Sequence, residues 1–324
     1  MTVLPNDLTI RPITGPEELE LFNRLPYLLN DELADDLARG RRRPSWMWMA
    51  LDGDRLLARL SWWCRPQDDT PFLLDLLDVD DDAQDVDLMA VADELLRTAN
   101  AALFPDGVPI ALGDTPPPEY LRFDVADWRS EERSRNRVGR RLAVVERSGA
   151  VPLVERLRYE WRDETPLPEG SGRLVFRGVE GTEDILGLMT RALEGTLDAH
   201  DRLDLREHSA EEVAAANFAD EFANYPTPRS WWRVATLADG TPVGFVIPAR
   251  NAYHPIIAYI AVLPEHRGNG HIDDLLAEGT RVLASEGLTY ARAATDVGNM
   301  PMARAFTRAG YDTISGVVSM TWSR

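Results

Sequence analysis

The sequence predicts an α/β (α+β) protein of two tandem domains, each a mixed central β-sheet flanked by helices. Three observations carry that expectation. A chain of 324 residues has room for two domains of ordinary size. In both halves, short apolar strand runs alternate with stretches of helical length. The two halves also repeat one order of elements, the signature of a duplication. Residues 163–172, DETPLPEGSG, carry prolines and glycines and no apolar period. They read as a linker between a first domain at 1–162 and a second at 173–324.

Taken in order, each half opens with a strand, an arginine, a turn and an acidic helix start: LTIRPITGPEELELFNRL from Leu8 and LVFRGVEGTEDILGLMTRAL from Leu174. Acidic residues in a first helical turn suit the helix dipole. A strand pair follows in each half, turning at Asp52-Gly53-Asp54 and at Asp239-Gly240, both hairpin signals. Next come a strand, a helix and a strand: 72–79, 88–103 and 108–112 in the first half, 256–263, 273–286 and 288–295 in the second. Each half closes with a helix, a glycine at the C′ position and strand-like sequence ending in tryptophan. Gly149 and Gly310 lie 161 residues apart, and so do Trp161 and Trp322.

Composition narrows the function classes. Acidic residues exceed basic ones by 54 to 35, a net charge of −19. Through Arg162 the count is 31 acidic to 21 basic, and after it 23 to 14, so the halves carry −10 and −9. A uniformly acidic surface argues against nucleic-acid and anionic-membrane partners and suits a cationic acceptor such as an amine. All the basic residues are arginine. The single cysteine, Cys64, lies beside Trp62 and Trp63 and reads as core; no disulfide framework is possible within the chain. The N-terminus lacks a secretory pattern and no apolar run reaches the ~20 residues of a membrane span, so a cytoplasmic location is expected.

The most informative stretch runs from Ile257 to Leu276. An apolar strand ends at Val262, a proline turn follows, and Arg267-Gly268-Asn269-Gly270 leads into a helix. Glycines let successive N–H groups turn toward one point, and a helix start adds partial positive charge. The pattern is an anion site suited to a diphosphate. It lacks the Gly-Lys-Ser/Thr of a P-loop and the third glycine of a dinucleotide loop.

This string resembles the pyrophosphate motif of the GNAT superfamily of N-acetyltransferases, Arg/Gln-x-x-Gly-x-Gly/Ala after a strand ending Val-x-Pro. The motif falls on Arg267, Gly270 and Ile272, the last being bulkier than the family's small residue. Downstream, Asn299-Met-Pro-Met-Ala-Arg-Ala-Phe306-Thr-Arg-Ala-Gly310-Tyr311 is similar to the family's Asn-x-x-Ala-x-x-x-Tyr-x-x-x-Gly-Phe/Tyr. The resemblance covers about 174–322 and implies two GNAT-like domains, with acetyl-CoA or another acyl-CoA as co-substrate and no metal. The implied contacts are the main chain of Ile260, Ala261 and Val262, the loop from Arg267 through Gly268, Asn269, Gly270 and His271 to Ile272, and Asn299 and Phe306. Phe306 stands where many members place a proton-donating tyrosine.

The first domain follows the order of elements without the motifs. Asp80, Asp81, Asp82, Asp85 and Asp87 stand where the second has its glycine loop, and would repel a diphosphate. They lack the spacing of a calcium loop and read as a solvated turn. This half is therefore a degenerate GNAT-like domain without the CoA motif.

The implied activity is direct attack of a primary amine, on a small molecule, on the thioester. Members often place a glutamate on the strand before the loop; here that strand has none. Substitute bases are His254, Tyr253, Tyr259 and Asp296. The alternative is a non-catalytic acyl-CoA-binding or sensor protein, motivated by Phe306, Ile272 and the missing glutamate. A duplicated chain also mimics a dimer internally, so a monomer is expected.

Overall fold

The computed structural model describes residues 4–5, 7–83, 85–108 and 117–322. The chain divides into two compact units: Met1–Val154 with Gly316–Arg324, and Glu155–Ser315.

Unit 1 contains β1 (Leu8–Pro12), α1 (Leu19–Phe22), α2 (Leu33–Ala38), β2 (Met47–Asp52), β3 (Arg55–Trp63), β4 (Leu73–Val79), α3 (Leu88–Leu103), β5 (Glu119–Asp124) and α4 (Glu132–Arg147). The next strand, β6 (Val151–Arg162), leaves the unit partway along its length. The sheet order is β1-β2-β3-β4-β5, completed by the 316–321 part of the chain's last strand, β12 (Asp312–Thr321). One core lies under α3 and α4 around Trp62, Leu95, Tyr120 and Trp322. A second, around Phe22, Met47 and Leu76, lies under α1 and α2. The expected strand at 108–112 lies outside the described residues from 109 onward.

Unit 2 contains β7 (Val175–Arg177), α5 (Thr182–Ala192), α6 (Ala199–Asp204), α7 (Ala210–Asp220), β8 (Arg233–Thr236), β9 (Pro242–Arg250), β10 (Pro255–Val262), α8 (His271–Ser285), β11 (Tyr290–Asp296) and α9 (Met300–Arg308). Its sheet runs β7-β8-β9-β10-β11 and is completed by the 155–162 part of β6, antiparallel to β11 from Arg156↔Asp296 to Arg162↔Tyr290. Tyr159, Trp161, Leu275 and Phe306 share its main core.

The unit boundaries therefore differ from the expected break at 162/163. The closing strand of each half of the sequence sits in the sheet of the other half's unit. β12 runs antiparallel to β5 from Gly316↔Asp124 to Thr321↔Glu119, and β6 takes the corresponding edge beside β11. The two strands carry the same pattern, Tyr159-Glu-Trp161 and Met320-Thr-Trp322. Local pattern cannot say which of two equivalent edges such a strand will occupy. Residues 163–172 likewise belong within unit 2. The Ser171 N–H and hydroxyl both donate to Asp274, a buried carboxylate in the first turn of α8.

The duplication itself is visible in side-chain chemistry. Arg11 makes a forked pair with Glu18, whose oxygen also accepts the Thr14 N–H at 2.7 Å. Arg177 makes the same pair with Asp184, which accepts the Glu180 N–H at 2.9 Å. These hydrogen bonds hold Glu18 at a pKa of about 2 and Asp184 below the usual carboxylate range. Gly149 and Gly310 close α4 and α9 with φ of 101° and 77°. Cys64 is buried, and burial pushes its thiol up to about 11, as a core residue requires.

Candidate functional site

The site is built around a fork between two parallel strands. β10 and β11 share a single register pair, Ile256↔Arg292. Beyond it the strands separate, so one edge of β10 leaves its ladder while the other stays bonded to β9 through Val262↔Gly244. A register shift between Ile257 and Tyr259 marks a bulge where the fork opens, and bulges commonly re-aim a strand next to a functional site. Ile260, Ala261 and Val262 lie on the separated length.

At the open end the chain turns through Pro264–His266 into α8. Gly270 is the N-cap, with φ of 76°, a left-handed conformation that costs a residue with a Cβ about 1–2 kcal/mol. No side chain caps the helix. The first N–H groups of an α-helix have no partner within it, so this end presents free donors and the positive end of the dipole. Close packing fixes where it points. A Cβ on Gly244 would stand 2.3 Å from the Ala261 carbonyl oxygen, and one on Gly279 2.7 Å from Val246. Glycine at both places lets α8 lie tightly on β9 and β10. Ile272 packs on the unit 2 core, so its bulk is directed inward.

Several expected residues have other work. Arg267 donates to four main-chain carbonyls: Val262 at 3.1 Å, Ala192 at 2.8 Å, Glu194 at 2.6 Å and Gly195 at 3.4 Å. It closes the end of α5 and ties it to the loop, rather than offering its guanidinium to a phosphate. The guanidinium beside the loop is that of Arg173, which the sequence reading passed over; it donates to the Asn269 carbonyl at 3.0 Å and lies 3.4 Å from Asp274. Asn269 folds its amide back onto the His266 and Arg267 carbonyls, leaving its main chain as the group at the loop. His271 is buried at the helix start with Nδ1 unpartnered, 6.3 Å ring to ring from His266. Burial and then the Arg173 charge lower its pKa. Asn299 caps α9 by accepting the Met302 N–H at 3.3 Å, so its oxygen serves the helix. Phe306 is buried and stacks on Tyr159 at 4.7 Å.

The four candidate bases fare differently. His254 precedes β10 at the closed end of the fork, roughly 26 Å of strand from Val262 at 3.3 Å per residue. Its Nδ1 lies 3.2 Å from the Tyr290 hydroxyl and its Nε2 accepts from Arg292. Burial and the Arg292 charge lower its pKa to about 4. It is a neutral, doubly engaged imidazole at the wrong end. Tyr253 stands beside it, its N–H held by Asn251 at 2.9 Å. Asp296 is 3% exposed and occupied, accepting from Arg156 at 2.8 Å and from the Ala199 N–H at 2.8 Å. It anchors α6 to the end of β11 and is not available to hold an ammonium. Tyr259 lies between Phe222 at 5.5 Å and Phe245 at 5.0 Å, and burial raises its pKa, so the phenol keeps its proton.

The carboxylate that the sequence reading missed is Asp201 on α6. It accepts from the Thr196 hydroxyl at 3.1 Å and from the Asn217 amide at 3.4 Å. Burial, with the neighbouring Asp198 charge, pushes it up to about 6. Tyr259, on the separated length of β10, feels the charges of Asp201 and Asp198. The acidic run DAHDRLD from Asp198 was the available signal, but nothing in that run separates Asp201 from its neighbours.

Among the described residues no cluster of three His, Cys, Asp or Glu could hold a metal ion, and no helix is long and apolar enough to cross a membrane. Residues 197–311 match the Acetyltransferase (GNAT) family. A GCN5-related N-acetyltransferase from Sphaerobacter thermophilus is similar in structure, with a TM-score of 0.62 at 16% identity, over 99% of this chain and 98% of that one. A tandem GNAT protein from the clavulanic acid biosynthesis pathway gives 0.52 at 17% identity, over 97% and 98%. A search of curated proteins gives no match.

Proposed function

We propose, from the match of residues 197–311 to the Acetyltransferase (GNAT) family, that this chain is an N-acyltransferase whose unit 2 moves an acetyl group from acetyl-CoA to a primary amine on a small molecule. The single observation that supports this most is the combination of the β10/β11 fork with the uncapped, glycine-led start of α8. The donor set fits an acyl-CoA: N–H groups from Gly268 to Ile272 and the Arg173 guanidinium for the diphosphate, and the free edge of Ile260–Val262 for the arm. When bound, the coenzyme supplies an activated acyl group on sulfur.

The protein's own residues account for the rest. Main-chain donors on the separated length of β10 polarise a carbonyl lying in the fork. Arg267 holds the end of α5, and with it the approach to α6, against the loop. An amine arrives as an ammonium and must lose a proton before it attacks. Asp201, with a pKa of about 6, is ionised at neutral pH and basic enough to accept that proton. The acidic stretch from Asp198 favours a cationic acceptor by its charge. In this reading the enzyme works in the cytoplasm as a monomer. Size-exclusion chromatography with light scattering tests the latter.

The test of function measures CoA affinity by calorimetry and thiol release from acetyl-CoA against a panel of primary amines. Binding with amine-dependent release supports the transferase. Tight binding without turnover on any amine points to the sensor reading, which the absence of a hydroxyl at Phe306 favours. Absence of binding overturns both.

A further inference from the structure

Unit 1 has a strand fork of its own. β4 and β5 run parallel and share only Leu73↔Glu119 and Leu74↔Tyr120. Its surroundings differ from those of the unit 2 fork. Asp87 caps α3 by accepting the Met89 and Ala90 N–H groups, so the helix end that is open in unit 2 is closed by a carboxylate here. Three buried guanidiniums gather at and beside the fork. Arg122 on β5 donates to Asp78 on β4 at 2.7 Å, Arg59 on β3 reaches the same carboxylate at 3.3 Å, and the Arg141 Nε of α4 stands 3.7 Å from it. The side chains of all four are at most 4% exposed.

Among the described residues this cluster is not balanced. Asp78 stays ionised because the charges of Arg122, Arg59 and Arg141 outweigh its burial. Arg141 also forks onto Asp81 at 3.0 and 2.7 Å. Among the described residues, the three buried guanidiniums face Asp78 and Asp81, and Arg140 also lies 3.7 Å from Asp81, so positive charge is in excess around a largely buried carboxylate. Hydrogen bonding shows the same deficit. The Nε atoms of Arg59, Arg122 and Arg141 and the hydroxyl of Tyr120 are buried with no partner among the described residues. Burial pushes the Tyr120 phenol up to about 12, so it remains a donor. Surplus positive charge and surplus donors at one carboxylate call for an acceptor that carries negative charge.

We propose that unit 1 binds a small monovalent anion, chloride or a carboxylate of formate size, in the β4/β5 fork against Arg122, Arg141 and Tyr120. The anion accepts the orphaned donors and cancels the residual charge. The fork that receives a thioester arm in unit 2 is, in unit 1, an ion site that stabilises the domain.

The test uses the full chain. Crystals soaked in sodium bromide should show an anomalous peak bounded by Arg122, Arg141 and Tyr120; a peak only on the surface, or a water in the fork without anomalous signal, overturns the proposal. In solution, melting is followed in chloride, formate and gluconate at constant ionic strength. Mass action predicts a rise of about 3–5 °C per tenfold increase in a bound anion above its dissociation constant, with gluconate, too large for the fork, as the baseline. The chloride and formate arms identify which anion occupies the site, and equal melting in all three overturns it. Tyr120→Phe keeps the ring and removes one donor. It should weaken the anion dependence severalfold while leaving CoA affinity of unit 2 unchanged; full retention of the dependence counts against this placement.

Discussion

Trp322→Ala should damage the first unit, although Trp322 lies at the end of the second half of the sequence. The indole is 4% exposed, packs against Trp62 at 5.5 Å ring to ring and donates to the Ser148 hydroxyl at 3.2 Å. All of those contacts lie in unit 1. Truncating a buried tryptophan to alanine costs about 3–5 kcal/mol, a large share of a domain's stability. Trp161→Ala is the mirror experiment: its ring is 1% exposed in the core of Leu275 and Phe306, so a similar loss should fall on unit 2. Hydrogen exchange read by mass spectrometry resolves the two. Trp322→Ala should lose protection in β3, β4 and α3 and keep CoA binding. Trp161→Ala should lose it in β10, β11 and α8 and weaken CoA binding. If protection is lost in the half where each tryptophan lies in sequence, the strand exchange is wrong.

Other expectations concern the site. Gly270→Glu places a carboxylate roughly 5 Å from where a phosphate would lie, worth about 3 kcal/mol of repulsion at an effective dielectric of 20, so CoA affinity should fall more than about 100-fold by calorimetry with the fold retained. Arg173→Met should weaken CoA binding and flatten its salt dependence, whereas Arg267→Met, which removes hydrogen bonds to α5 carbonyls, should chiefly lower the melting temperature. His254, with its pKa lowered to about 4, binds fewer protons folded than unfolded between about pH 6.5 and 4. Stability should therefore fall as pH drops through that window, by about 1–2 kcal/mol after allowance for partial exposure, and His254→Gln should flatten the denaturation curve there. Asp201→Asn should cut kcat by about 10²–10⁴ and erase a limb near pH 6 in the pH–rate profile; a limb that survives removes Asp201 as the base.

Much of the framework was legible from local chemistry. The hairpins turn at Gly53 and Gly240, both at positive φ, and the uncapped start of α8 lies where the glycines placed it. Those features depend on backbone freedom and on neighbours a few residues away. What sequence could not show depends on distant partners. Arg267 carries the motif's charge, but the carbonyls that occupy it come from residues 192–195 and from Val262. Asp296 and Asn299 look available until Arg156 and the start of α9 are in place. His254 has the residue type of a base, and only the register Ile256↔Arg292 reveals that it guards the closed end of the fork.

The same reasoning separates the two sites proposed for one duplicated plan. Both units retain a parallel strand pair that parts after one or two register positions, so the fork belongs to the architecture. What each fork can accept is decided by a few side chains around it. In unit 2 the helix that follows the fork begins at Gly270 without a side-chain cap, and its donors remain open. In unit 1 that helix is capped by Asp87, and Arg122 and Arg141 face Asp78 beside the fork. A cap closes the helix end to a diphosphate, while the buried arginines favour a small negative ion over a neutral thioester arm. The difference has one physical basis: unit 1 carries Asp87 at the helix start and buried arginines beside its fork, where unit 2 has Gly270 and an uncapped helix.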